Sequence, residues 1–233
     1  MRLALVLLIS FGISCAAPAA RAEAPARKEM MTASFLAAHP DVKFRMEGMR
    51  AMDDNLPEPA FAAFVEASRY ADKASQAMVA VMYWAGTGVP QDRAVAYAWM
   101  DLAAERGYKQ FLGLREKYWN ALTPDERERA LREGEAVYAE YGDAVAKPRL
   151  ARKLDAARRK ITGSRTGFVG ALKVMVPGPS GEWLTLDGST YYADRYWRPK
   201  DYFEWQDRIL RAPQQGVVDV GPISSAGATP PKE

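Results

Sequence analysis

An offset of 36 residues constrains what this chain can fold into more than any other feature. Ala60, Ala67 and Ser68 recur as Ala96, Ala103 and Ala104, and the same shift carries Lys73 onto Lys109. A period of this length is that of a helical hairpin, which cannot bury its apolar face alone and must stack on its neighbours. Small residues at the repeated positions let packed helices approach closely. The fold class that follows is mostly α: about three antiparallel helical hairpins of a short α-solenoid over 41–146, followed by a basic helix and a small β-hairpin or meander appendage.

Local signals place the helices within the period. Phe44, Met49 and Met52 mark a first helix that ends near Asp53-Asp54-Asn55, and Pro57 opens a second that runs to about Ala71. A third is expected over about Lys73 to Ala85, broken by the segment Gly86 to Asp92. Asp92 then caps a helix from Arg93 to Arg106, which Gly107 closes. Phe111 to Leu122 opens the next pair, and Thr123-Pro124-Asp125-Glu126 reads as a capping box for a partner reaching Tyr141.

Tyr83, Gly86, Gly88, Val89, Asp92, Ala96, Trp99, Ala103, Ala104 and Gly107 together resemble the Sel-one-like repeat, a relative of the tetratricopeptide repeat. The likeness is specific over about Ser75 to Tyr108. The glycines suit a tight interhelical loop, Val89 plugs the hairpin, and Ala103-Ala104 permit close packing. The flanking hairpins depart from the pattern: one lacks the glycine loop, and the other has Thr123-Pro124 in its place and Phe111 where alanine is usual. More broadly, His39 to Glu204 resembles exported Sel-one-like proteins of Gram-negative bacteria, which share runs such as Tyr138 to Asp143 and Thr162 to Gly167. The resemblance implies a right-handed stack of helix pairs whose concave face or edges bind other proteins, and it implies no catalytic residues.

Outside the array the chain changes character. Arg2, an apolar run from Leu3 to Ile13 and the small-residue ending Ala20-Arg21-Ala22 read as a signal peptide over 1–22, with cleavage after Ala22 and a periplasmic product. Cys15 leaves a lipoprotein route as the alternative. Residues 23–40 are expected to be a flexible leader. Over 147–166 a basic amphipathic helix is expected. Eight basic residues between Lys147 and Arg165 face one acid, Asp155, and Leu150 and Leu154 share its apolar side. Two roles stand open for it: peripheral contact of 147–165 with an anionic membrane or glycan, or packing of the leucines against the acidic helix before it. Residues 167–212 read as a β appendage crowded with aromatic residues from Trp183 to Trp205, serving as its anchor or as a sugar-stacking platform. Residues 213–233 are expected to form a disordered tail.

Composition narrows the function classes. There is one histidine and one cysteine, and cleavage after Ala22 removes the cysteine, so histidine-based triads, thiol nucleophiles and multi-histidine metal sites lose most of their parts. His39, followed by Pro40, reads as the end of a short helix. Loss of Arg2 and Arg21 takes the formal charge from +3 to +1, which gives no support to a nucleic-acid partner. The reading is an exported non-catalytic protein–protein interaction scaffold of the envelope, with no cofactor and no metal. Its partner site is expected along the first helices of the hairpins, at Gln76, Met82, Gln110, Arg115 and Tyr118. The alternatives are an envelope glycan or anionic-surface binding module, and a glycosidase using carboxylates among Glu182, Asp187, Asp194, Asp201 and Glu204.

Overall fold

In the computed structural model, which describes residues 32–160, 173–177 and 183–212, the four helices between Pro57 and Ala121 fall on the 36-residue period. In chain order the helices are α1 (Ala33–Ala38), α2 (Pro40–Asp53), α3 (Pro57–Ser68), α4 (Lys73–Ala85), α5 (Arg93–Ala103, extended by a 3-10 turn to Arg106), α6 (Lys109–Ala121), α7 (Pro124–Tyr141) and α8 (Asp143–Arg159). Two strands follow, β1 (Lys173–Pro177) and β2 (Trp183–Asp187), and then α9 (Gly188–Tyr191), α10 (Asp194–Trp197) and α11 (Pro199–Arg211). Pro57 and Arg93 open α3 and α5, Lys73 and Lys109 open α4 and α6, and Ala85 and Ala121 close them. Among the described residues no helix is long and apolar enough to cross a membrane.

The expected caps set the boundaries. Asp92 accepts a hydrogen bond from the Val95 amide at 3.1 Å, and the Thr123 hydroxyl and Glu126 carboxylate satisfy each other's backbone amides. Gly86 and Gly107 end their helices in the left-handed conformation. The repeated small residues Ala60, Ala67, Ala96 and Ala103 are all fully buried, which lets α2 pack on α3 and α4 on α5. Phe64, Met82, Trp99 and Leu102 fill this first core, with Val89 and Tyr83 packed at its edge. The third pair is splayed, since α6 and α7 both lie along α5.

A second core lies outside the array and corrects three expectations. Residues 32–40 are not leader: Thr32 caps α1, and Phe35, Ala38 and His39 are buried. The ring of Phe35 supplies enough apolar area, edge-on to Tyr196 and Trp197, to order a segment whose composition carries no helical stripe. The basic helix begins at Asp143, ahead of the expected 147, and its described part ends at Arg159. Leu150 and Leu154 are buried in this second core with Phe35, Val176, Leu186 and Tyr196, not against α7. Among the described residues no ion pair joins a base of α8 to a glutamate of α7; Arg149 instead donates to the carbonyls of Arg69 and Glu140. The appendage is mainly helical, because Asp187 accepts from the amides of Ser189 and Thr190 and starts a helix where a strand through Tyr191 and Tyr192 was expected.

β1 and β2 form an antiparallel hairpin with Val174 opposite Leu186 and Val176 opposite Leu184. One face turns these residues to the second core, and the other leaves Met175 and Trp183 exposed. Most of the aromatic crowd is anchor: Tyr191, Tyr196, Trp197, Tyr202 and Trp205 are buried, while Trp183 is 66% exposed. The expected signal peptide with Cys15, residues 23–31 of the leader, the stretch 161–172, the loop 178–182 with Glu182, and the tail 213–233 lie outside the described residues.

Because Leu154 is fully buried among rings and branched side chains that cannot close on a void, Leu154→Ala is expected to cost about 2–4 kcal/mol. Urea unfolding would measure this. A loss near zero would mean that α8 is not seated on the second core.

Candidate functional site

The groove expected over the first helices is filled. Gln76 and Met82 of α4 are 0% and 1% exposed, and Tyr118 of α6 is 5% exposed, so these three are not surface contacts. Gln76 donates to the carbonyls of Ser68 at 3.3 Å and Tyr141 at 3.1 Å and accepts from Lys73. Tyr118 stacks on Trp84 at 4.0 Å between ring centroids, which closes the space between α4 and α6. Gln110 and Arg115 remain accessible. Gln110 is exposed and donates to the carbonyl of Leu210, and the half-buried Arg115 pairs with Asp101 and Glu116.

Behind the filled groove lies a buried charge network that sequence reasoning missed. Lys73, with no exposed side-chain surface, donates to Gln76, to the Leu102 carbonyl at 3.0 Å and to Glu105 at 2.6 Å, and lies 3.2 Å from Asp143. Arg106 grips both oxygens of Asp143, at 2.7 and 2.9 Å, and reaches Asp207 at 3.1 Å and the Ala71 carbonyl. Tyr108 donates to Asp207, and Arg211 donates to the Arg106 carbonyl. Burial pushes the Lys73 ammonium down, opposed first by Asp143. Burial works to raise Asp143, yet the hydrogen bonds from Arg106 and the charge of Lys73 hold it well below the usual carboxylate range. These charges are spent on one another and on carbonyl oxygens, so the arrangement acts as a clamp that joins α4, α5, α8 and α11.

A second cluster lies where α2, the N-terminus of α4 and α11 meet. Asp72 caps α4 by accepting from the amide and hydroxyl of Ser75, and Arg45 pairs with it. Asp41 accepts from the Tyr202 hydroxyl at 2.6 Å and the Gln206 amide at 2.8 Å. The only signal for these partners was the presence of charged residues, Lys73 among them, within apolar helical patterns. Of the carboxylates weighed for glycan hydrolysis, Asp187 is a helix cap, and the exposed Asp194 and Glu204 pair with Arg198 and Lys200.

No family model and no curated protein matches the chain. Among solved structures it is similar to a protective antigen present in uropathogenic Escherichia coli strains that displays an SLR fold, at 18% identity and a TM-score of 0.42. The similarity covers 57% of this chain and spans 27% of that protein's length. The resemblance to the Sel-one-like repeat holds in the chain's own geometry: left-handed Gly86, Gly88 and Gly107, the Asp92 cap, and buried Ala96, Ala103 and Ala104 recurring on a helical array.

Proposed function

We propose that this chain is an exported, non-catalytic protein–protein interaction scaffold of the cell envelope, and that it presents the outer face of α6 to its partner. One observation supports that face: α6 buries only Phe111 and Tyr118, whereas α4 is enclosed along most of its length. Lys109, Gly113, Glu116, Lys117 and Asn120 form an exposed stripe at helical spacing, and Leu112, Leu114 and Trp119 flank it half-buried. A polar stripe with apolar margins is suited to a protein partner, and Gln110 and Arg115 lie within or beside it.

A photo-crosslinking residue at position 117 is expected to trap one defined envelope protein that the same residue at position 131, on the exposed side of α7, does not trap. Gln110→Ala with Lys109→Glu should cut that adduct about tenfold or more while leaving stability within about 1 kcal/mol, as surface changes usually do. Identical adducts from both positions, or none, would sink the reading. A second reading then takes over, favoured by the exposure of Arg152, Lys153, Arg158 and Arg159 on α8 while its leucines are buried. It is binding to an anionic envelope surface, read by salt-sensitive cosedimentation with anionic vesicles.

A further inference from the structure

The helix that opens the array, α2, has its inner side fixed by its smallest residues. Gly48 is buried against α3, where an added Cβ would fall 2.7 Å from the ring of Phe64, and Ala51 packs on the first core. The outward side carries Met46, Met49 and Met52, three residues apart, with Leu56 just beyond the helix end. Met49 is 56% exposed and Leu56 51%, and Met52 is exposed as well. The outermost repeat of an array has no neighbour to stack on and ordinarily turns a polar face to water. This one turns out methionines, whose unbranched and polarisable side chains adapt to an apposed surface.

Beside the methionines runs a stripe of exposed charges, Lys43, Glu47, Arg50 and Asp54, at the i, i+4, i+7, i+11 spacing of a single helix face. Their signs alternate, so the order inverts when the helix is turned end for end. A second copy lying antiparallel therefore sets each charge against its opposite, whereas a parallel copy would set like against like. The register is fixed by the same numbers. Lys43 with Asp54 and Glu47 with Arg50 share one midpoint, between Gly48 and Met49. An axis there also brings Met49 beside Met49 of the second copy and Met46 beside its Met52, and Asp53 comes opposite its Arg45. Lys43 and Glu47 meet within the helix at 3.8 Å, with both side chains about half exposed and open to a further partner.

We propose that α2 is a self-association face, along which two copies of this chain pair antiparallel about a two-fold axis at Met49, methionines against methionines and each charge against its opposite. A two-fold interface must be complementary to itself, and the alternating stripe meets that condition. One helix against its copy covers less than the roughly 800 Å² per partner of a standard interface, so the dimer is weak, with a dissociation constant on the order of 10–100 μM. The face lies on the first helix of the array and does not depend on the reading of α6.

Sedimentation equilibrium of the purified chain from about 5 to about 500 μM should show monomer giving way to dimer. Met49→Glu should stay monomeric throughout, with a thermal midpoint within about 2 °C of wild type, as a surface change allows. Arg50→Glu sets two like charges together at Glu47 and should raise the dissociation constant about tenfold or more; adding Glu47→Arg restores opposite signs and should return it to within about threefold of wild type. A photo-crosslinking residue at position 49 should yield a covalent homodimer. A wild-type chain still monomeric at about 500 μM, a dimer that Met49→Glu leaves intact, or a double variant no better than Arg50→Glu alone would overturn the proposal. So would a crosslink from position 49 to a different protein or to residues 1–31 of the same chain, which would give the methionines another cover.

Discussion

Gly88→Ala is expected to lower stability by about 3–5 kcal/mol, about two to three times the cost of the chemically identical change Gly107→Ala. Both glycines have φ near +70°, where a Cβ costs about 1–2 kcal/mol by itself. Their surroundings differ. A Cβ on Gly107 meets nothing within 4 Å, whereas on Gly88 it would lie 2.2 Å from the carbonyl oxygen of Pro57 and 2.9 Å from the amide nitrogen of Glu58. These are backbone atoms at the first turn of α3, so no rotamer change relieves the overlap. The loop between α4 and α5 would have to lift from the preceding hairpin, and the contact between successive repeats would go with it. Equilibrium urea unfolding of the two variants separates conformational cost from steric cost. Equal losses would show that the loop does not bear on α3 and that the glycine serves its own turn alone.

That contact explains what was readable in the sequence and what was not. The period, the cap at Asp92, the stop at Gly107 and the capping box at Thr123 are local patterns, and each sits where its residues placed it. The expected partner residues failed where packing crosses between repeats. Met82 and Tyr118 lie outside the positions a single hairpin needs, which made them look free, yet Tyr118 stacks on Trp84 of another hairpin. Gln76 is polar and still buried, because its amide satisfies carbonyls at Ser68 and at Tyr141, 65 residues away. Such a partnership leaves no trace at short range.

The C-terminal unit shows a different limit. Tyr191 and Tyr192 favour strands, and Asp187-Gly188 suits a hairpin turn, but the same aspartate suits a helix N-cap, and burial of Tyr191 in the second core decides between them. Likewise α1 is ordered by rings from α10, about 160 positions on, and not by its own sequence. The charge network belongs with these cases, since Lys73, Arg106, Asp143 and Asp207 come from four separate stretches and share no motif. The role of each is set by its partners' positions in space.

Removing the centre of that network should be among the most damaging single changes. Asp143→Ala is expected to cost about 3–5 kcal/mol, because it strips Lys73 and Arg106, both almost without solvent contact, of a shared counter-charge. Glu105 and Asp207 remain, but neither can replace the bidentate grip at 2.7 and 2.9 Å, and the Arg106 donors released from it belong to a side chain only 6% exposed. The loss should fall on the junction: Glu105 also accepts from the Asp143 amide at the first turn of α8, and Arg106 holds Asp207 of α11, so both helices should exchange amide protons faster while α3 and α5 stay protected. The carboxylate's low folded-state value adds a pH signature. A depressed value contributes stability that is present above the unfolded value of about 3.9 and is lost as pH falls through the folded one. Wild type should therefore weaken below about pH 4 more steeply than Asp143→Asn, and the gap between the two should narrow with acid. A gap of constant size from neutral pH to about pH 3 would mean that Asp143 acts through its shape and hydrogen bonds alone, and that its charge does not hold the C-terminal unit to the array.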